Sequence, residues 1–284
     1  MAQTTPFDLV ILDLDGTIID AYQHTAISTV VRETIDAVQA AGVPVTIGTG
    51  RTLDYVRAHV GDLGINLPVV TTQGAVIGDP RTGSVLIETD MPLEQARQVA
   101  SWIDAGHRIS AFYFIDDKGQ THVYQNETGP EPDFYDHVFG LPRNMAASFC
   151  ALLETPDMHP PLKFITINDP TIEDDVVPLL QAQFGDTLTI TRTHPILVEG
   201  TASGVDKGTG VLGLCKLLEI DPDRVLAIGD SENDIPMLSV VGYAVAMGNA
   251  AASVKAVADW IAPDIDVDGA AVALQKLVLD RIPH

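Results

Sequence analysis

The sequence predicts an α/β fold: a doubly wound, Rossmann-like parallel sheet interrupted by an inserted α+β domain. Three observations carry this. Short apolar runs alternate with helical periodicity near the start of the chain. The alternation gives way in the middle to hairpin-like segments with turn-rich links. It resumes past His194. Strand, helix, strand with brief connections is the pattern of a parallel sheet covered on both faces, and helices beside hairpins suggest a second small core. The predicted organisation is therefore a discontinuous core, 1–88 and 194–284, around an insertion at 89–193.

The first element is the plainest. Leu9, Val10, Ile11 and Leu12 form an unbroken apolar run, too short for a helix and rich in branched residues, as expected of a strand buried on both faces. Apolar residues at helical spacing then run from His24 to Ala41, and Gly42 is a helix terminator. Val43–Ile47 reads as a second strand, Leu53–Leu63 as a helix and Pro68–Thr72 as a third strand. Ala75–Ile77 and Ser84–Glu88 flank a turn-rich hexapeptide, which reads as a hairpin.

In the insertion, Pro92–Ala105 reads as a helix and Ile109–Ile115 with Thr121–Tyr124 as a second hairpin. Gln125–Pro161, rich in Pro, Asn and Asp, yields no clear element. Lys163–Asn168 reads as a strand, Ile172–Phe184 as a helix and Leu188–Thr191 as a strand. The resumed core then reads as strand Ile196–Glu199, helix Lys207–Leu218, strand Val225–Gly229, helix Ile235–Val240 and strand Tyr243–Met247. Ala251–Ala258 and Gly269–Leu279 are expected as closing helices.

Four clusters fall at predicted strand ends or helix starts, where open α/β sheets bind ligands. Asp13 and Asp15 follow the first strand, and if the extended backbone persists both carboxylates leave one side of it. In isolation a solvated acidic turn would read the same way. Thr49, between Gly48 and Gly50, offers a hydroxyl and bare amides to an anion, although such a turn is also an ordinary connection. Lys207 starts a helix, the end at which a cation is disfavoured by the dipole, so either a specific task or a solvated surface position is implied. Asp230, Glu232, Asn233 and Asp234 crowd one turn after a buried strand; a bound cation or a shared proton would relieve their repulsion, while a capped helix start is the plainer alternative. Hard oxygen donors of this kind suit Mg²⁺.

Composition limits the partners. The 284 residues carry a net charge of -23, with 46% hydrophobic and 19% charged residues. So acidic a folded protein repels nucleic acid and anionic membranes. No apolar stretch is long enough to span a bilayer, and no signal peptide is evident. Cys150 and Cys215 lack metal-type spacing and are expected as reduced thiols in the cytoplasm. His59, His107, His122, His137, His159 and His194 show no zinc-site spacing. Oligomeric state is not legible.

Taken together and in this order, DLDGT, TGR, the GVDKG lysine and GDSENDIPML, followed by Val245–Ala250, resemble the haloacid dehalogenase superfamily of phosphohydrolases. Within it the chain is similar to the Cof-like group, whose large cap is inserted between the second and third motifs. The resemblance implies a Mg²⁺-dependent hydrolase that removes phosphate from small phosphorylated metabolites such as sugar phosphates. By the same resemblance Asp13 is the nucleophile, forming an aspartyl-phosphate, and Asp15 the general acid and base. Thr49, Gly50, Lys207 and Asn233 would bind phosphate. Asp13, Asp15 through its carbonyl, Asp230 and Asp234 would hold the metal. Gln73 departs from the asparagine that the group commonly has before Gly-Ala, and Arg51 would touch substrate or brace its turn. Two other readings share these motifs: a phosphomutase or phosphotransferase passing the group to a sugar, and a non-catalytic phosphate-binding regulator comparable to receiver domains.

Overall fold

A computed structural model describes residues 5–20, 26–129, 132–140, 143–156 and 158–282. It divides into two compact units, one comprising the chain up to Thr82 and from Asp206 onward, the other Gly83–Val205. In chain order the first unit begins with β1 (Leu9–Leu12), α1 (Thr29–Ala40), β2 (Val45–Ile47), α2 (Leu53–His59), β3 (Val69–Thr71) and β4 (Val76–Gly78). The second contains β5 (Val85–Glu88), α3 (Leu93–Gly106), β6 (Ser110–Ile115), β7 (Thr121–Gln125), α4 (Pro132–Phe139), β8 (Arg143–Met145), α5 (Phe149–Leu153), β9 (Lys163–Ile167), α6 (Val177–Phe184), β10 (Leu188–His194) and β11 (Leu197–Ala202). The first unit resumes with α7 (Lys207–Leu218), β12 (Val225–Gly229), α8 (Ile235–Val240), β13 (Tyr243–Ala246), α9 (Ala252–Lys255), β14 (Trp260–Ile261) and α10 (Gly269–Leu277).

The first unit is built on a five-stranded sheet of order β14-β13-β12-β1-β2, parallel throughout. Every residue of β1, β2 and β12 is buried, the apolar signature of a sheet covered on both faces. A parallel bridge from Gly48 to Val70 carries the edge on toward β3, which pairs antiparallel with β4. The chain leaves β1 toward β2 on one side, and β12 lies on the other, so the carboxyl end of β1 sits at a switch in strand order. In α1, Val31, Ile35 and Val38 form the buried face, Ser28 caps the start by accepting from the Val31 amide at 3.1 Å, and Gly42 follows the end. The first residues of the helix expected from His24 lie outside the described residues.

The second unit is a six-stranded sheet, order β10-β11-β9-β6-β7-β8, antiparallel except for the β7–β8 pair. Alternation along β6 divides its faces. Phe112 and Phe114 join Phe149, Phe164 and Phe184 in the core beneath α3, α5 and α6, whereas Ala111 and Tyr113 join Ile165, Tyr135 and Phe139 on the other side.

The structure departs from the expected elements in three places. Ile196–Glu199, read as the first strand of the resumed core, belongs to β11, the antiparallel partner of β9 and β10. Its pattern was apolar enough for either sheet, and its pairing partners lie earlier in the chain. The helix expected from Ile172 starts only at Val177. Asp169 and Asp175 accept from the backbone amides of Thr171 and Val177, both at 2.9 Å, so these acids form local turns in place of a helical turn. The predicted helix Leu53–Leu63 ends at His59, followed by a separate turn at Gly61–Leu63. The region 125–161, where no element was assigned, contains α4, β8 and α5.

Candidate active site

The buried strand β1 delivers Asp13 to the carboxyl edge of the sheet. Its amide donates to the carbonyl of Ile228 at 3.0 Å, which fixes it beside the end of β12. Lys207 is the first residue of α7, capped by Asp206 and Thr209, each bonding the other's backbone amide. Its ammonium nitrogen lies 2.6 Å from Asp13 Oδ1 and 2.6 Å from Asp234 Oδ1. All three side chains are buried. The cation that is misplaced for its helix dipole is therefore held by two carboxylates. Burial by itself would lower the Lys207 ammonium, but Asp13 and Asp234 reverse this and hold it above its usual range.

Asp230, at the end of β12, completes the cluster. Asp13, Asp230 and Asp234 each offer a carboxylate oxygen within 4.8 Å of the others. Burial, then repulsion from Asp234, raises Asp230 to about 7, with Lys207, Ser231 and Thr17 opposing. Burial and Asp234 likewise hold Asp13 well above the usual carboxylate range, with Lys207 offsetting part of the rise. Three hard oxygen donors this close, two of them with ionisation opposed by burial and by the Asp234 charge, fit a divalent cation, which would relieve that repulsion. Asp234 is the most committed of the three: its Oδ2 accepts from the amides of Asp230 and Ser231 at 2.9 and 3.0 Å, closing the turn, while Oδ1 holds Lys207.

Asp15 does not share these partners. β1 ends at Leu12, and the Leu14 carbonyl accepts from the amides of Thr17, Ile18 and Ile19, so the extended backbone needed to align the Asp13 and Asp15 carboxylates does not persist. Arg51 grips Asp15 instead, Nε to Oδ2 and Nη2 to Oδ1, both at 2.8 Å. The guanidinium also lies over the Tyr55 ring, 4.6 Å from its centroid. Beyond the turn it belongs to, Arg51 thus holds the second acid of the first motif.

Thr49 is buried, and its hydroxyl accepts from the Arg51 amide at 3.1 Å, which leaves the hydroxyl proton for another acceptor. Asn233 donates to Gln73 Oε1 at 3.1 Å. Other side chains come into the cluster without having been singled out in the sequence. Thr17 and Ser231 donate to Asp230 at 3.2 and 3.1 Å, and Asn249 donates to the Gly16 carbonyl at 2.8 Å. Gly16 has φ +85°, and a Cβ there would stand 2.3 Å from Asp230 Oδ2, so only glycine lets the first loop press against this acid. Thr17 and Asn249 both sit within motif stretches, which was the available signal.

An acid at the end of β1, a lysine between two carboxylates and a third acid beside them form one cluster whose chemistry suits an anionic ligand together with a divalent cation. The chain belongs to the haloacid dehalogenase-like hydrolase family, whose profile matches residues 10–274. It is 29% identical over 273 residues to a phosphoglycolate phosphatase of Methanopyrus kandleri, spanning 95% of this chain and 97% of that one. It is also 29% identical over 277 residues to the 5-amino-6-(5-phospho-D-ribitylamino)uracil phosphatase of Bacillus subtilis, spanning 95% and 96%. Among solved structures, a haloacid dehalogenase-like hydrolase from B. subtilis superposes with a TM-score of 0.82 at 23% identity, over 95% of this chain and 99% of that one.

Proposed function

We propose that this protein is a Mg²⁺-dependent phosphomonoester hydrolase, acting on small phosphorylated metabolites such as sugar phosphates through an aspartyl-phosphate intermediate. The observation that carries the reading is the Lys207 ammonium, 2.6 Å from both Asp13 and Asp234 with Asp230 beside them. A phosphate dianion approaches a carboxylate nucleophile only where their charges are offset, and this cluster supplies a fixed positive charge at that place.

In this reading an Asp13 oxygen forms a bond to phosphorus as the bond from phosphorus to the ester oxygen breaks. Asp15 gives its proton to that oxygen, so the leaving group departs as a neutral alcohol. Arg51 donates one N–H to each Asp15 oxygen, which leaves a second lone pair on each to carry the proton. Water then attacks phosphorus, Asp15 takes the water's proton, and the bond to Asp13 breaks to free inorganic phosphate. Thr49, Gly50, Lys207 and Asn233 hold the phosphoryl oxygens. Asp13, Asp230, Asp234 and the Asp15 carbonyl would hold Mg²⁺, which when bound supplies the charge neutralisation that two anions need in order to meet.

The named substrates of the two relatives, phosphoglycolate and a ribityl phosphate, are both small phosphomonoesters, and the second is a polyol phosphate; both support the substrate class. Free thiols at Cys150 and Cys215 suit the reducing cytoplasm. Among the described residues no helix is long and apolar enough to cross a membrane. The test is a phosphate-release screen over sugar phosphates, sugar-alcohol phosphates, nucleotides and cofactor phosphates, with Mg²⁺ or with chelator, and with isomerised sugar phosphate measured in parallel. Release that requires the metal and vanishes in Asp13→Asn is expected; turnover in the Asp13→Asn protein would end the proposal.

A further inference from the structure

Thr72, Gln73 and Gly74 have φ of +54°, +59° and +93° in succession. Two consecutive non-glycine residues in the left-handed region are costly, and such strain persists only where the surroundings enforce it. Gln73 is also buried, an unusual place for a long amide side chain.

The turn touches three of the four loops that form the candidate site. The Gln73 amide donates to the Thr49 carbonyl at 3.2 Å, and that of Thr72 to the Arg51 carbonyl at 2.8 Å. The Gln73 side chain fills the space a Cβ on residue 50 would need, its Nε2 lying 2.4 Å from that point. Its Oε1 accepts from Asn233 Nδ2 at 3.1 Å. Gly74 lies so close to the Asp206 carbonyl that a Cβ would fall 2.0 Å from it, and Asp206 caps the helix that begins with Lys207. With one N–H held by Gln73, the Asn233 Oδ1 is a buried acceptor without a hydrogen-bond partner among the described residues.

We propose that Gln73 is a positioning residue for the hydrolytic reaction. Through its side-chain amide it sets the orientation of Asn233 and the distance of that side chain from the Thr49–Gly50 loop, and the strained backbone is tolerated for that purpose. The inference rests on the phosphatase reading for its catalytic consequence, but the contact with Asn233 is measurable without turnover.

Two variants separate position from packing. Gln73→Leu keeps the volume against Gly50 and the strained backbone but loses the amide. Gln73→Asn keeps an amide and suits the left-handed conformation better, yet it is one methylene too short to reach Asn233. We expect Gln73→Asn to unfold at the same or a higher temperature than the parent. Both variants are expected to lose about tenfold or more in kcat/KM, because small misplacements of site groups are expensive. In an Asn233→Ala background the same substitutions should cost about twofold or less, the non-additivity of a coupled pair. Wild-type kcat/KM in both variants, or an undiminished loss in the Asn233→Ala background, would overturn the inference. The Asn233 side-chain amide protons, followed by NMR and assigned by their loss in Asn233→Asp, should exchange slowly in the parent and faster in Gln73→Leu. Unchanged exchange overturns the inference even if no phosphate is released, whereas absent turnover with accelerated exchange sinks only the phosphatase reading.

Discussion

Asp13 and Asp15 stand two residues apart, yet their side chains enter different charge networks. Asp13 shares Lys207 with Asp234, and Asp15 is gripped by Arg51. Their substitutions should therefore differ in kind. Asp13→Asn should lower kcat by at least about a thousandfold, and Asp15→Asn by about a hundred- to ten-thousandfold, as expected for a nucleophile and for a general acid and base. Single-turnover phosphate release, with trapping of the phosphoenzyme in Asp15→Asn, checks both. Asp230 gives a pH dependence whose sign is fixed. Its folded value of about 7 lies above the ordinary 3.8, so the folded protein takes up this proton before the unfolded chain does. In metal-free protein the resulting penalty is complete above about pH 7 and is relieved as pH falls toward the ordinary carboxylate range. Unfolding temperatures in chelator and in Mg²⁺ should consequently differ more at about pH 8 than at about pH 5.5. A metal effect independent of pH would contradict the assignment.

At the scale of elements, β1 and β12 were legible to the residue, since a strand buried on both faces leaves an uninterrupted apolar run with few alternative readings. The α7 start was legible as an anomaly, a lysine at the wrong end of a dipole, and the structure shows what offsets it. Lys207→Met removes that cation and leaves two buried carboxylates facing each other. It should cost about 3–5 kcal/mol at neutral pH, read by denaturant unfolding, and abolish turnover. What escaped the sequence had no local signature. The Arg51–Asp15 pair spans separate loops, and the Asn233–Gln73 contact joins residues 160 positions apart. The strained turn at Thr72–Gln73 looks like an ordinary strand exit, because nothing in the letters reports a positive φ. The sheet to which β11 belongs is hidden for a related reason: an apolar run shows that a strand is buried, not what it pairs with.

For the whole molecule the governing quantity is the net charge of -23. Among the sixteen lysines and arginines, Lys207 and Arg51 are committed to the site, and Lys163 to a buried pair with Glu199 in the second unit, 2.6 Å apart. The remaining surface is left with a large excess of carboxylates that repel one another. Raising monovalent salt from about 0.05 to about 0.5 M shortens the screening length severalfold, so the unfolding temperature should rise by several degrees. A constant or falling temperature across that range would show that the acidic residues are spaced widely enough not to matter.

The register of β1 has a consequence for biosynthesis. Leu9 is paired with Val225, across the entire insertion. As the polypeptide emerges from the ribosome, the segment bearing Asp13 appears well before its β12 partner, and one flank of it stays open until that other half of its sheet has been made. The second unit, whose strands all lie between those two partners, can assemble during that interval. Strand β1, apolar at all four positions, must meanwhile wait with an unpaired edge, an opening for aggregation during synthesis.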